Sequence, residues 1–358
     1  MHPYKNLPDY QFWKKEPGVG DGKLLDPVGP KPPFLISEDN KIVTAGSCFA
    51  QHVAKFLSGS GFLHYISERP HPVIPNHIAM RNNYGKFSAR YGNVYTTRQL
   101  KQLIYRAFGH FVPVAQAWRS KFDHNAFIDP FRPQIQPNGF VSEAELLSDQ
   151  QQHLSYVRDA FENMDVFVFT LGLTEAWEDV SDGAIYPIAP GIAGGDYDPG
   201  KVVFRNFDVS ETYEDLRQSI EFLRTINPSL RIILTVSPVP LNATYENRHV
   251  LLSTTWSKSV LRIAAEQATC NFDDCVYFPS YEIITSPHVR GKYFAEDCRE
   301  VTPEGVKHVM SLFLKHYTAS NGALNPVRNM EENRAEKHST KMQKIVDLLC
   351  DEELIDNE

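Results

Sequence analysis

Apolar, β-prone runs alternate with helical periodicity along this chain, and that alternation restricts the fold more than any other feature. "KIVTAG" (41–46) ends in glycine and leads into Phe49, Val53, Phe56 and Leu57, a spacing that predicts a helix directly after a short strand. Three later runs, "DVFVFTLGL" (165–173), "RIILTVSPVP" (231–240) and "CVYFPSYEII" (275–284), are rich in β-branched and aromatic residues, as strands covered on both faces are. Another strand is expected near "FLHYIS" (62–67). Helical stripes fall between the runs: Tyr213, Leu216, Ile220 and Leu223; residues 253–268; and Val306, Val309, Met310 and Phe313, opened by Thr302-Pro303 with proline at the favoured first helical position. Strands alternating with helices predict an α/β domain around a parallel, doubly wound sheet.

The remainder divides around that domain. Residues 1–40 are rich in proline and glycine and read as an extended arm on the domain surface. The domain proper is expected over 41–318, with an insertion at about 68–162 that a minimal sheet does not require. The insertion holds an expected helix at 96–108, a proline-bearing irregular stretch at 129–140, and a second helix carrying Leu147, Leu154, Val157 and Phe161; it is the natural place for a lid or recognition surface. Residues 319–358 are polar and acidic, with one amphipathic remnant, "MQKIVDLLCDEELI", and read as a loosely attached tail or a partner-binding helix.

Composition narrows the function. The 358 residues suffice for one large domain with insertions or two smaller ones. A net charge of −8, without a basic stripe interleaved with aromatics, argues against nucleic acid as a partner. No apolar run is long enough to span a bilayer, and the amino terminus lacks the pattern of a secretory signal, so a cytoplasmic location is expected. The five cysteines form no CxxC pair and no zinc-ligand spacing, which predicts free thiols and no metal.

In open parallel sheets, ligands bind beyond the carboxyl ends of the strands. The residues just after the apolar runs are Gly46-Ser47-Cys48, Gly172-Leu173-Thr174-Glu175, Ser237-Pro238, and a last stretch leading through His288 to Asp297 and Glu300. These residues, with "GSCFA" (46–50), "TLGLTEAW" (170–177), "SPV" (237–239), "SKSVL" (257–261), "YFPSYEI" (277–283) and "YFAED" (293–297) in that order, resemble the GSCFA domain proteins, a branch of the SGNH (GDSL-like) hydrolase and acyltransferase superfamily. The resemblance covers roughly residues 40–317 and is far more specific than one short motif. It implies a three-layer α/β/α, flavodoxin-like domain with a five-stranded parallel sheet and an inserted helical lobe.

The resemblance also implies site roles. Aligning Gly46 with the glycine of the superfamily's Gly-Asp-Ser turn puts Ser47 at the aspartate and Cys48 at the nucleophile. A thiol there gains from the unpaired N–H groups and positive end of the first helical turn, and its backbone N–H would be an oxyanion donor. The alternative for Cys48 is a buried space-filler, and for Ser47 a helix N-cap. Gly172-Leu173-Thr174-Glu175 stands at the superfamily's Gly-x-Asn-Asp block, so Thr174 offers a hydroxyl where an amide is usual, and Glu175 could orient Ser47 or the turn. Both could instead cap a following helix. Gly92, in "YGNVYT", is a further candidate backbone donor. The superfamily's final Asp-x-x-His reads Asp297-Cys298-Arg299-Glu300 here, a departure that leaves the general base open: Glu300 would need burial to lift its pKa, His52 lies four residues after Cys48, and His288 sits in the loop where such bases occur.

The activity so implied is acyl chemistry: transfer of an acetyl or other acyl group to a carbohydrate, as in capsule or surface-polysaccharide synthesis, or hydrolysis of such an ester. No tightly bound cofactor is expected, and acetyl-CoA is a candidate acyl donor. The competing readings are a non-catalytic carbohydrate-binding or polysaccharide-assembly protein that retains the fold, and a serine esterase using Ser47.

Overall fold

The computed structural model describes residues 2–319 and 350–356, with the side chain of the last left aside. Nine strands and eight α-helices are found among them: β1 (Ile42–Gly46), β2 (Trp118–Arg119), β3 (Phe127–Ile128), β4 (Val166–Leu171), β5 (Glu175–Asp179), β6 (Ile185–Tyr186), β7 (Val202–Asn206), β8 (Arg231–Val236) and β9 (Cys275–Tyr277); α1 (Cys48–Gly59), α2 (Asn76–Arg81), α3 (Thr97–Ala107), α4 (Glu143–Asn163), α5 (Val209–Ile226), α6 (Val250–Asn271), α7 (Ser280–Thr285) and α8 (Pro303–Tyr317).

The central sheet has four strands in the order β1-β4-β8-β9, and all of its pairings are parallel. Alternation along each strand sorts side chains into two cores. Val43, Phe167, Phe169, Ile232 and Leu234 enter a layer formed with α3, α4, α5 and α6. Ile42, Val166, Val168 and Ile233 face α1, α7 and α8. This is the three-layer arrangement that apolar runs buried on both faces require.

Several expectations change in detail. The fifth strand near 62–67 reduces to a single parallel bridge between Ile42 and His64, so a four-stranded sheet replaces the five-stranded one. The run at 275–284 is a strand only as far as Tyr277, because Pro279 stands at the N-cap of α7 and the chain turns into that helix. Residues 175–206 form an antiparallel sheet in the order β6-β5-β7; β5 begins at Glu175, so no helix follows β4 directly for Thr174 and Glu175 to cap. With β2 and β3 it shares a small core around Trp118, Ile128 and Tyr186. Helices α3 and α4 of the inserted stretch pack directly on the central sheet through Leu103, Ile104, Val157 and Phe161. The amino-terminal arm runs through five short 3-10 turns and is anchored by buried Leu25 and Ile36; Asp26 pairs with His316 of α8 at 2.8 Å.

The last described residues of the tail depart furthest from its expected looseness. Of the amphipathic remnant only residues 350–355 lie within the described residues, and Cys350, Asp351 and Glu352 are buried.

Candidate functional site

The carboxyl ends of the parallel strands deliver their loops to one place. Gly46 closes β1 with φ +140°, and a Cβ there would stand 2.3 Å from the Thr170 carbonyl oxygen, so only glycine lets β1 turn this close to β4. Ser47 then occupies the N-cap position of α1, and Cys48 is the first helical residue. Gly172 follows β4, and a Cβ on it would meet the Ser47 Cβ at 2.9 Å. Cys48, Ser47, Tyr95, Gly172, Ser237, Lys258 and Glu352 line one cleft whose remaining space is about 10 Å³, at the margin of holding one water.

Lys258 is the residue that sequence reasoning missed. It extends the stripe Leu261, Ala265 and Ala268 of α6 by one turn, so its stem follows the core-facing side while its ammonium reaches the strand ends. Nζ donates to the Gly172 carbonyl at 2.7 Å. The side chain is 3% exposed, and burial lowers its pKa to about 8, against the opposing pull of Glu352 and Cys48. The signal was present in "SKSVL": a lysine in phase with an apolar stripe is a buried charge, and buried charges have reasons.

The chain's end closes the cleft. Asp351 accepts from Asn93 Nδ2 at 3.2 Å and from Gln134 Nε2 at 3.1 Å, and its backbone N–H donates to the Tyr95 hydroxyl at 3.0 Å. Arg299 Nη2 reaches Glu352 at 3.1 Å and the Cys350 sulfur at 3.7 Å. The Cys48 thiol is pushed up, first by its hydrogen bond to Cys350 and then by burial. Cys350 is lowered by that hydrogen bond, with help from Arg299. With the tail seated, the hydrogen bond between the two sulfurs and burial hold the Cys48 thiol up, which works against the expected Cys48 thiolate, while Cys350 is shifted the other way beside the guanidinium. Ser47 Oγ is buried with no hydrogen-bond partner, so Ser47 stands at the cap position without capping.

The other sequence-predicted residues lie apart from the sulfur or are already engaged. The Thr174 hydroxyl donates to Asn206 at 2.7 Å. Glu175 accepts from Thr244 and from the Tyr245 N–H, and burial raises its pKa. The Gly172 N–H donates to the Tyr95 carbonyl at 3.0 Å, which removes it as an oxyanion donor. Gly92 holds a left-handed turn at φ +72°, next to Asn93 rather than among the residues lining the cleft. His52 sets its ring edge-on against Phe49, and burial together with Lys55 lowers it to about 4, so it is neutral and cannot supply the imidazolium charge expected beside Cys48. His288 hydrogen-bonds Ser286 through Nδ1 and packs against Trp13 of the arm. Asp297 accepts from the N–H groups of Arg299 and Glu300, a turn that aims Arg299 inward. Glu300 itself is exposed, without the burial a carboxylate base would need.

A protein-family model for the GSCFA family matches residues 41–313. The chain belongs to the GSCFA family. The matched span runs from β1 into α8 and includes Cys48, Gly172, Lys258 and Arg299, while Cys350, Asp351 and Glu352 lie beyond it. No curated protein and no solved structure matches the chain. Among the described residues, no helix is long and apolar enough to cross a membrane, and no group of three or more His, Cys, Asp or Glu side chains could hold a metal ion. A larger hollow of about 720 Å³ between Pro27–Pro33 and the β9 edge shares no lining residue with the cleft; its thiol, Cys275, is pushed up by burial to about 12.

Proposed function

We propose that this GSCFA protein carries out acyl transfer to, or ester hydrolysis on, a carbohydrate, with Cys48 as the nucleophile on an SGNH-like scaffold. One observation carries the reading: a thiol at the start of a helix lines the same cleft as a buried lysine whose pKa is close to neutrality and a serine hydroxyl with no partner. Lys258 in its deprotonated form, which a pKa of about 8 makes accessible just above neutral pH, accepts the Cys48 proton. The sulfur attacks the acyl carbonyl, and the backbone N–H groups of the first turn of α1, with Ser47 Oγ, hold the developing oxyanion. The leaving group departs with the proton from Lys258, which leaves a thioester. A carbohydrate hydroxyl or water then attacks the thioester, gives its proton to Lys258, and the ammonium returns it to sulfur. Lys258 takes the role for which His52, His288 and Glu300 were candidates. Acetyl-CoA is the proposed donor.

Intact-mass measurement after incubation with acetyl-CoA tests the proposal. An acetyl adduct on the wild-type chain and none on Cys48→Ala is expected; equal labelling of both removes Cys48 from the role. The non-catalytic reading, a carbohydrate-binding or assembly protein, is favoured by a different observation, the nearly filled cleft with Cys48 protonated. It predicts no adduct even when the tail is displaced.

A further inference from the structure

Residues 350–355 occupy the cleft as a ligand would. Glu352 is held at both ends: Oε2 accepts from Arg299 Nη2 at 3.1 Å, Oε1 accepts from the Asn242 N–H at 3.3 Å, and its carbonyl accepts from Asn242 Nδ2 at 3.1 Å. The Cys350 carbonyl accepts from Gln134 Nε2 at 3.0 Å, and Leu354 packs on the small core around Trp118. These partners come from three separate loops and from the small core around Trp118, so the segment is gripped along its length.

The charges explain why an acidic segment fits. Lys258 lines a cleft with almost no remaining space, Arg299 reaches the Glu352 wall of that cleft at 3.1 Å, and Glu352 is the only carboxylate that pairs with Arg299 among the described residues. Arg299 Nε is also buried without a hydrogen-bond partner. Removing Glu352 and leaving nothing in its place would strand these charges, which is costly in a low-dielectric site. Whatever enters when the tail leaves must therefore bring an anion to the same spot. The remaining space of about 10 Å³ also excludes any acyl substrate while the tail is seated.

We infer that the cleft beside Cys48 recognises a carboxylate-bearing substrate, seated between Arg299, Lys258 and the Asn242 N–H, and that Glu352 of the chain's own tail holds that place until the substrate displaces it. The inference rests on the acyl-transfer reading for the word substrate, whereas the binding of a carboxylate does not. An acidic sugar and a dicarboxylic acyl group share this chemistry, and glucuronate and succinate represent them.

The test reads the rate at which iodoacetamide modifies Cys48, followed by peptide mass in the full-length chain without turnover. Glu352→Arg, which sets a cation against Arg299 and Lys258, should speed modification by about tenfold or more. Succinate or glucuronate should slow it again in that variant while glucose does not, and whichever protects better identifies the source of the carboxylate. Adding Arg299→Gln should abolish the protection. If Glu352→Arg fails to fold, judged by its thermal transition, Glu352→Gln carries the same measurement. Unchanged Cys48 reactivity in the Glu352 variants, or protection by glucose equal to that by the carboxylates, or none by either carboxylate, overturns the inference. Carboxylate protection without any acetyl adduct would instead sink the acyl-transfer proposal and leave this one standing.

Discussion

Replacing Lys258 with methionine should make the protein more stable and its cleft inert. The ammonium is buried and bonded to the Gly172 carbonyl, yet burial lowers its pKa from 10.5 to about 8. At about 1.36 kcal/mol per pKa unit, keeping the lysine charged near pH 7 costs the folded state roughly 3 kcal/mol. Methionine fills a similar volume without charge but forfeits the hydrogen bond to a buried carbonyl, worth about 1–2 kcal/mol. Lys258→Met should therefore raise the unfolding free energy near pH 7 by roughly 1–2 kcal/mol. The pH dependence fixes the cause. A lysine whose folded pKa is depressed contributes its full stability only above its unfolded value of 10.5, and loses it as pH falls through about 8. The advantage of the variant should therefore shrink as pH rises from 8 toward 10.5. Urea unfolding of both proteins at about pH 7 and about pH 10 measures this. A variant less stable than wild type by the same amount at both pH values would refute the claim that burial of a charge governs this position.

Gly46→Ala should destabilise by about 3 kcal/mol or more, since the new Cβ meets the Thr170 carbonyl oxygen at 2.3 Å on a backbone at φ +140°; chemical denaturation reads the loss. In the inserted stretch, Glu68 accepts from His153 Nδ1 at 2.7 Å and from the Arg90 N–H at 2.7 Å, and despite opposing burial its partners, His153 foremost, lower it to about 2. Glu68→Gln should cost about 3–5 kcal/mol near neutral pH. The difference should narrow as pH falls from 4.5 through about 2, which thermal unfolding in acid would follow. Asp351 has the opposite sign: burial raises it from 3.8 to about 6 against the hydrogen bonds from Asn93, Gln134 and Tyr95, with Glu352 adding to the rise. Seating of the tail should therefore be fully favoured below 3.8 and weaken as pH rises through about 6. Amide exchange at residues 351–355, corrected for intrinsic rates, should show falling protection across that window.

The framework was legible because its signals are local. Helix α8 announces itself through Thr302, whose hydroxyl accepts from the Gly305 N–H, and Pro303; the stripes of α3, α5 and α6 mark the faces that reach the sheet. The antiparallel sheet of β5, β6 and β7 was not legible, because its strands are two to five residues long and too short for alternation to register. The run at 62–67 looked like a strand but found one bridge rather than a ladder. At the cleft, Gly46, Ser47 and Cys48 could be located from the strand-to-helix turn alone. The seat of the tail could not: Asn93, Gln134, Asn242 and Arg299 are joined to residues 350–352 by tertiary contacts spanning tens to hundreds of residues. Arg299 illustrates the limit. Sequence reasoning weighed Asp297 and Glu300 on either side as chemical groups, whereas the turn that Asp297 forms sends Arg299 to the cleft.

The central claim, that Cys48 is a reactive thiol under a displaceable tail, is tested most directly by rapid mixing of Glu352→Gln with p-nitrophenyl acetate. A burst of p-nitrophenolate equal to the protein concentration, absent when Cys48→Ala is added, is the predicted result. A linear trace with no burst, identical in the two proteins, would contradict it.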